Sequence, residues 1–188
     1  SVTGVQTCAL PISVLRFRPR CARASLTCAF FLHPSSFILH PSLVAPPSKE
    51  EIQRAVRAAL AEDVGSGDAT TLATVPEQAS LKVAMVAREP LVVAGLAVAE
   101  TAFRELAPTV EITRRAQDCV SLQRGDTLLE IHGPARAILT AERVALNFVQ
   151  RLSGIATLTA QFVGVIHGTG AQILDTRKTT PGLRLLEK

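Results

Sequence analysis

The chain has 188 residues, of which 47% are hydrophobic, and it carries a formal net charge of +4. That positive charge belongs to residues 1–47, which contain four arginines and no acidic residue, whereas residues 48–188 contain 16 basic and 16 acidic residues. A neutral main segment excludes the electrostatic footprint of a nucleic-acid-binding protein, and the length suits one domain or slightly more.

Residues 1–47 differ from the rest of the chain in composition, holding three of the four cysteines and four of the seven phenylalanines. A secretory signal would start with its basic residues and end in a small-residue cleavage site, which this stretch does not do. A membrane helix would need about 20 uninterrupted apolar residues, and Pro34 and Pro41 interrupt the stretch. Residues 2–12 back-translate readily to a common sequencing-library adapter. We therefore interpret 1–47 as an artefactual or disordered leader and exclude it from fold prediction.

The folded part is predicted to begin at Ser48, which with Glu51 forms a capping box, the typical start of a helix. Apolar residues at helical spacing follow, and Gly65 and Gly67 end the helix. The acidic, glycine-rich segment 62–71 has two interpretations, a metal-binding loop or a solvated turn. Because Gly, Asp and Ser are ordinary turn residues, the turn is preferred and no metal ligand is assigned.

The next stretch is predicted to form strands around a single helix. Alternating apolar residues from Leu81 to Ala87 indicate a half-buried strand, and a helix is expected from about Leu96 to Leu106. Further strands are predicted at 110–113 and 128–131. Strands with one helix among them favour a compact α+β sandwich over residues 48–140.

The turn at Gly125-Asp126, between two apolar strands, also resembles the lipoyl and biotinyl carrier modules. Such a module needs an exposed, modifiable lysine at the tip of a hairpin. Lys82 is the only lysine between Glu50 and Lys178, and it falls in the middle of a predicted strand. The carrier is therefore kept as a non-enzymatic alternative that lacks a site residue of its own.

Two helices and a short strand are predicted after residue 140. Thr140 is expected to cap the first helix, and Ser153-Gly154 to break it from a second helix that ends before Gly168. Residues 171–175 are so short and apolar that a buried strand is expected. Helix, strand and loop in this order are typical of the start of an α/β barrel or a doubly wound sheet, where functional residues follow the strands.

Arg177 and Lys178 directly follow this predicted strand, within the segment 175–182. Charge at the tip of a buried strand is costly unless an anionic or acidic group meets it, so a binding loop for an anion is predicted. Arginine offers a planar fork that suits a carboxylate, and lysine a mobile point charge that suits a phosphate. Together they suit a ligand that carries both kinds of group.

The isolated histidines and the isolated cysteine of the main segment are given structural roles. His132 and His167 are predicted to be loop or capping residues, because no carboxylate or nucleophile lies at a spacing that would make a catalytic pair. Cys119 is predicted to be an unactivated thiol, as in a reduced, cytoplasmic protein.

Three motifs resemble those of the quinolinate phosphoribosyltransferase family: Glu142-Arg143-Val144-Ala145-Leu146-Asn147-Phe148, then Leu152-Ser153-Gly154-Ile155-Ala156-Thr157, then Asp175-Thr176-Arg177-Lys178-Thr179-Thr180-Pro181-Gly182. The resemblance covers about residues 50–188. It implies a pentosyltransferase of NAD biosynthesis that joins quinolinate to phosphoribosyl pyrophosphate, giving nicotinate mononucleotide, pyrophosphate and carbon dioxide. It also implies an α/β fold, with an α+β sandwich as N-terminal domain over 48–140 and the first elements of an incomplete α/β barrel over 141–188.

The resemblance further assigns roles to four residues. Arg143 is expected to reach into the partner subunit's site and contact quinolinate, which makes the working unit a homodimer or a higher oligomer. Arg177 is expected to bind a quinolinate carboxylate, with Thr176 lining the same loop, while Lys178 faces phosphoribosyl pyrophosphate and its Mg²⁺. No nucleic-acid or membrane partner is expected, and the expected location is the cytoplasm.

The family's other functional residues are expected beyond Lys188, among them a His-Arg motif, a later substrate lysine, acidic residues for ribose and metal, and glycine-rich phosphate loops. No catalytic residue is therefore assigned, and the chain as given is expected to be inactive and prone to aggregation. A pyrophosphorylase-like paralogue associated with molybdenum transport stays open as the enzymatic alternative.

Overall fold

The computed structural model describes residues 14–15, 46–65 and 67–188. The helices are α1 (Lys49–Val64), α2 (Ala69–Thr74), α3 (Leu96–Leu106), α4 (Ala135–Ile166) and α5 (Arg184–Glu187). The strands are β1 (Val14–Leu15), β2 (Ser80–Val86), β3 (Leu91–Val92), β4 (Glu111–Arg114), β5 (Ser121–Leu122), β6 (Thr127–Pro134) and β7 (Gln172–Ile173). The prediction of a leader over 1–47 lies outside the described residues, apart from 14–15 and 46–47.

Helix α1 begins with the predicted capping box, which is confirmed. The Ser48 hydroxyl accepts a hydrogen bond from the backbone N–H of Glu51 at 3.2 Å, and the Glu51 carboxylate accepts one from the backbone N–H of Ser48 at 2.8 Å. The apolar face of the helix is buried at Ile52, Val56 and Leu60. Local sequence therefore fixes where the helix starts, and the buried face fixes how it packs.

Replacement of Ser48 by alanine is expected to lower the free energy of unfolding by about 1 kcal/mol, because an N-terminal backbone donor loses its side-chain partner. Chemical denaturation measures the loss. Ser48→Asp, which keeps an acceptor at the cap, should stay within about 0.5 kcal/mol of the wild type. Equal losses in both variants would contradict the capping role.

Strands β2, β6 and β4 form an antiparallel sheet in that order, with β6 at the centre. Met85 pairs with Leu129, and both side chains are buried on the inner face. Lys82 pairs with His132 on the opposite, exposed face. The alternation predicted for this strand is confirmed. The prediction of a loop or capping role for His132 is wrong, because β6 continues through the next two residues as far as Pro134.

Helix α4 packs on both α3 and the sheet, and α1 packs on α3 and α4. The helix predicted at Leu96–Leu106 is α3, with the bounds expected. The largest fully buried side chains come from both layers: Val56, Val93, Leu96, Leu129 and Ile131. Burial of one such side chain stabilises the folded state by roughly 2 kcal/mol. Helices over one face of an antiparallel sheet give the predicted α+β sandwich.

Helix α4 is one continuous helix of 32 residues, so the predicted cap at Thr140 and the predicted break at Ser153-Gly154 are wrong. The helix begins directly after Pro134, whose missing N–H costs nothing at a helix start. The Thr140 hydroxyl instead hydrogen-bonds the Asp68 carboxylate at 3.3 Å. The Ser153 hydroxyl accepts from the backbone N–H of Ala94 at 3.0 Å, so it does not compete for the backbone of its own helix.

The continuity of α4 carries it across the predicted domain boundary between residues 140 and 141. Each of the two internal glycines, Gly154 and Gly164, costs the helix about 1 kcal/mol, which the burial of the apolar face from Ile138 to Leu152 outweighs. Within the described part of the chain, no helix combines the length and the apolar content that crossing a membrane requires, α4 included.

Strand β7 is shorter and more exposed than the buried strand predicted over 171–175, so that prediction is wrong. The strand comprises only Gln172–Ile173, and Leu174 is 46% exposed. Among the described residues β7 pairs with β1 alone. Apolar composition buries a strand only where other elements cover its faces. Val165, near the end of α4, is 78% exposed and has the same lack of cover.

Candidate functional site

The basic segment that follows β7 is a turn shaped by its own side chains. The Thr176 hydroxyl accepts from the backbone N–H of Lys178 at 3.2 Å, which closes a tight turn around Arg177. The Arg184 guanidinium donates to the Arg177 carbonyl at 3.4 Å and to the Thr179 hydroxyl at 3.4 Å. Hydrogen bonds before and after the two cations therefore fix the course of the backbone that carries them.

The same segment is fastened to helix α4 by a buried carboxylate. The Glu187 side chain is only 2% exposed, and it accepts from the Arg151 guanidinium of α4 at 2.7 Å and from the backbone N–H of Thr180 at 3.0 Å. Burial alone raises the pKa of Glu187, but the hydrogen bonds from Thr180 and Arg151 outweigh it and hold that pKa below its ordinary value. Glu187 thus acts as an anionic anchor for the turn.

Glu187→Gln is expected to speed hydrogen exchange of the Thr180 amide by about tenfold, because a neutral amide oxygen accepts more weakly than a carboxylate. Hydrogen exchange followed residue by residue measures the change. Glu77→Gln, at an exposed position of the same charge, should leave the exchange of Thr180 unchanged. An unaltered rate in Glu187→Gln would show that this carboxylate does not hold the turn.

Arg177 and Lys178 are the cations of this turn whose side chains have no protein partner among the described residues. Both residues are exposed, and neither side chain has an ion pair or a hydrogen bond among the described residues. The basic residues near them already form ion pairs, Arg151 with Glu187 and Lys188 with Asp175. Two adjacent, uncompensated cations on a shaped turn are what the predicted anion-binding loop requires.

Arg143 lies elsewhere, on the first half of α4. Its Nε donates to the Asp63 carboxylate at 3.0 Å, and its Nη1 lies 3.5 Å from the Asp68 carboxylate. The hydrogen bond with Asp63 raises the pKa of the Arg143 guanidinium. The anchor at Arg151 is eight residues along the same helix, or about 12 Å. The structure therefore separates Arg143 from the turn within one chain, and its predicted role in a partner subunit's site stays a prediction.

The acidic residues of the segment 62–71 lie at the end of α1 and directly before α2. Asp68 is the N-cap of α2, and its carboxylate accepts from the backbone N–H of Thr71 at 3.1 Å. The Asp63 carboxylate accepts from the Arg143 guanidinium. In the part of the chain that the structure describes, no three His, Cys, Asp or Glu residues converge as a metal site.

His132 belongs to a hydrogen-bonded chain across three strands that its position in the sequence does not reveal. Its Nε2 lies 3.2 Å from the Ser80 hydroxyl, and its Nδ1 lies 3.4 Å from the Glu111 carboxylate. The Ser80 hydroxyl also donates to the Gly133 carbonyl at 3.1 Å, and the Glu111 side chain is 81% exposed. The Ser80 hydroxyl thus donates to a backbone carbonyl, and the Glu111 carboxylate is solvated. An activated serine would instead donate to a histidine that a buried carboxylate orients, so this hydrogen-bonded chain does not form a nucleophilic site.

The remaining isolated residues are structural, as predicted. His167 is the C-cap of α4, and its backbone N–H bonds the Gly164 carbonyl. Partial burial raises the pKa of the Cys119 thiol, and the neighbouring Asp118 charge adds to the shift. A raised pKa keeps the thiol protonated near neutrality, so Cys119 is not an activated nucleophile.

The roles of three carboxylates, Asp118, Asp63 and Asp68, were not predicted from the sequence. Asp118 accepts from the backbone N–H of Leu96 at 3.1 Å and so caps α3, whose own N-cap residue, Gly95, has no side chain. Asp63 and Asp68 bind Arg143, which is at least 75 positions away in the chain. The role of Asp118 could have been suspected, because the N-cap residue of α3 is a glycine and some other group must accept from the first backbone N–H groups. No local pattern in the sequence marks the pairing of Asp63 and Asp68 with Arg143.

Family models and relatives match this chain over the segment that carries these features. A model of the quinolinate phosphoribosyl transferase N-terminal domain matches residues 68–153, and one of the C-terminal domain matches residues 155–188. The chain is 44% identical over 127 residues to a probable nicotinate-nucleotide pyrophosphorylase (carboxylating) of Bacillus subtilis, covering 68% of this chain and 44% of the relative. It is 46% identical over 136 residues to the corresponding protein of Mycobacterium leprae, covering 71% and 48%.

Solved structures agree with the sequence relatives. The crystal structure of NadC from Streptococcus pyogenes matches with a TM-score of 0.73 and 42% identity, covering 77% of this chain and 51% of that chain. This neighbour confirms the predicted α/β fold class. The chain spans about half the length of the curated relatives it matches. On the two domain matches, the sequence relatives and the shared fold together, the chain belongs to the quinolinate phosphoribosyltransferase family.

Proposed function

We propose that the protein carrying this chain transfers a phosphoribosyl group from phosphoribosyl pyrophosphate to quinolinate and decarboxylates the product. The observation that carries the proposal is the shaped turn at 175–182, which presents Arg177 and Lys178 without protein partners in the described part of the chain. Membership of the quinolinate phosphoribosyltransferase family supports the choice of substrates.

The charges of the substrates explain the need for such a turn. Quinolinate is a dianion and phosphoribosyl pyrophosphate a polyanion, so the two repel each other unless cations neutralise them. We assign a quinolinate carboxylate to the planar fork of Arg177, beside the Thr176 hydroxyl, and the phosphate groups to Lys178. Mg²⁺ belongs to the bound phosphoribosyl pyrophosphate, and no residue of this chain is assigned as its ligand.

The reaction then follows from the substrates' own chemistry. The bond between ribose C1 and pyrophosphate breaks, and pyrophosphate leaves with the bonding electrons. The ring nitrogen of quinolinate donates its lone pair to the resulting oxocarbenium-like carbon, so the nitrogen becomes positively charged. Loss of carbon dioxide from the adjacent ring carbon leaves an electron pair that this positive nitrogen stabilises, and a proton replaces the carboxylate. The residues of this chain bind and orient the reactants.

Arg143 is proposed to act in a homodimer, reaching the quinolinate site of the partner subunit. Its position supports this, because α4 holds it away from the turn at 175–182 within one chain. We place the protein in the cytoplasm, although relatives in Oryza sativa and Nicotiana tabacum bear names that place them in chloroplasts and mitochondria.

The test uses the complete reading frame that contains this chain, purified and supplied with quinolinate, phosphoribosyl pyrophosphate and Mg²⁺. Carbon dioxide released from carboxyl-labelled quinolinate should equal the nicotinate mononucleotide formed, and omission of either co-substrate should abolish both. Nucleotide formed without decarboxylation would contradict the assigned reaction, and covalent modification of Lys82 would support the carrier. Either result, or no turnover at all, would refute the proposal.

A further inference from the structure

The Arg143 guanidinium is held at two of its nitrogens by carboxylates from two different elements. Asp63, in the last turn of α1, lies 3.0 and 3.3 Å from Nε through its two oxygens. Asp68, at the start of α2, lies 3.5 Å from Nη1. Among the described residues, Nη2 has no partner. The guanidinium is therefore fixed through Nε and Nη1, while its Nη2 group stays available to a ligand.

Asp68 is itself held firmly in place. Its side chain is 8% exposed, and it accepts from the backbone N–H of Thr71 at 3.1 Å, from the Thr71 hydroxyl at 2.7 Å and from the Thr140 hydroxyl at 3.3 Å. Thr140 and Arg143 both lie on α4, so Asp68 ties α2 to the helix that carries the arginine. Side chains with so many fixed contacts act as rigid supports for the groups they touch.

Arg143 would otherwise be a mobile side chain. It is half exposed on a helix surface, where a long arginine samples many rotamers. Binding of a carboxylate by such a side chain requires that its rotamers be ordered first, which weakens affinity. A guanidinium that is already fixed avoids this loss, as preorganised donors do in general.

We propose that Asp63 and Asp68 are positioning residues, which fix the Arg143 guanidinium through Nε and Nη1 so that its free Nη2 group meets the quinolinate carboxylate. This inference rests on the proposed function, in which Arg143 contacts quinolinate. It gives two acidic residues of the segment 62–71 a role that needs no metal ion. It also assigns the cluster a role in affinity for one substrate rather than in the chemical step.

The two acids also bring negative charge near a dianionic ligand, which by itself would oppose binding. Solvent at the exposed side of Arg143 screens that repulsion, and three hydrogen bonds already engage the Asp68 carboxylate. The hydrogen bonds from Thr71 hold the pKa of Asp68 below its ordinary value, so it stays ionised at neutral pH. Positioning and repulsion predict opposite effects of removing the charge, which makes them separable.

The experiment measures steady-state kinetics on the complete protein with Asp63→Asn, which removes the charge from a carboxylate whose described partner is Arg143. KM for quinolinate should rise about tenfold, a loss within the rotamer entropy of one arginine, while kcat and KM for phosphoribosyl pyrophosphate stay within about twofold. Asp68→Asn should act alike, since asparagine keeps the N-cap of α2. Glu62→Gln, a neighbouring exposed acid, is the control and should change nothing.

A double-mutant cycle separates positioning from a general structural role. In an Arg143→Ala background, Asp63→Asn should have no effect on KM for quinolinate, because the side chain it positions is gone. A KM that is unchanged or lowered by Asp63→Asn in an otherwise wild-type protein would overturn the inference, as would an effect that persists without Arg143. Absence of turnover in the wild type would instead refute the proposed function, and this inference with it.

Discussion

Arg177→Ala is expected to weaken quinolinate binding about 100-fold in the complete protein. The substitution removes a bidentate pair of charge-assisted hydrogen bonds, each contributing about 1.5 kcal/mol, and about 3 kcal/mol corresponds to two powers of ten in Kd. The turn itself should persist, since Thr176 and Arg184 bind the backbone around Arg177 and not its side chain. Calorimetric titration with quinolinate measures the change directly.

Two variants serve as controls for this prediction. Lys178→Ala removes the neighbouring cation and should leave quinolinate affinity within about threefold, because Lys178 is assigned to the phosphates. Arg124→Ala removes an equally exposed arginine from the turn between β5 and β6 and should have no effect. Unchanged affinity in Arg177→Ala, or equal losses in all three variants, would contradict the assignment of Arg177 to a carboxylate.

Elements set by neighbouring residues could be predicted from the sequence. The capping box at Ser48 involves residues three apart, and the alternation along β2 follows from the two-residue period of a strand. Helix α3 has the predicted bounds because Gly95 precedes a run of apolar residues at helical spacing. In each case one short segment contains both the group and its partner.

Errors arose where distant parts of the chain decide the local structure. Ser153 looks like a helix breaker until its hydroxyl is seen to bond Ala94, 59 positions earlier. Thr140 looks like an N-cap, yet it bonds Asp68, which is 72 positions away. The exposure of Leu174 depends on what covers β7, and its own composition does not contain that information. Tertiary contacts overrode local propensity at all three places.

The candidate site divides in the same way. The adjacent Arg177 and Lys178 after an apolar run indicated an anion-binding turn, and the structure places both on a shaped, exposed turn. Arg151 and Glu187, which anchor the turn, are 36 positions apart. The carboxylates that bind Arg143 come from α1 and from the start of α2. Neither interaction could be predicted from a short segment of the sequence. The identity of the substrates came from resemblance alone, since a cation pair by itself accepts many anions.

Gly95→Ala is expected to lower the free energy of unfolding by about 3 kcal/mol, from left-handed backbone strain and overpacking together. Gly95 has φ of +94° at the start of α3, and a Cβ there would lie 2.7 Å from Leu152 Cδ1 and 3.4 Å from Leu152 Cβ. Leu152 is buried in α4, next to the Ser153 hydroxyl that bonds Ala94. The new methyl group would therefore force the buried Leu152 side chain out of its place between α3 and α4.

Gly125→Ala is the matched control, because Gly125 has nearly the same φ, +95°, with no atom within 4 Å of the added Cβ. Its free energy of unfolding should fall by about 1 kcal/mol, from the backbone strain alone. Both variants also restrict the unfolded chain to the same extent, so that effect cancels when the two losses are compared. The difference between the two losses in urea denaturation thus isolates the contact with Leu152. Equal losses would mean that backbone conformation alone requires glycine at position 95, and that α3 and α4 have room to spare where they meet.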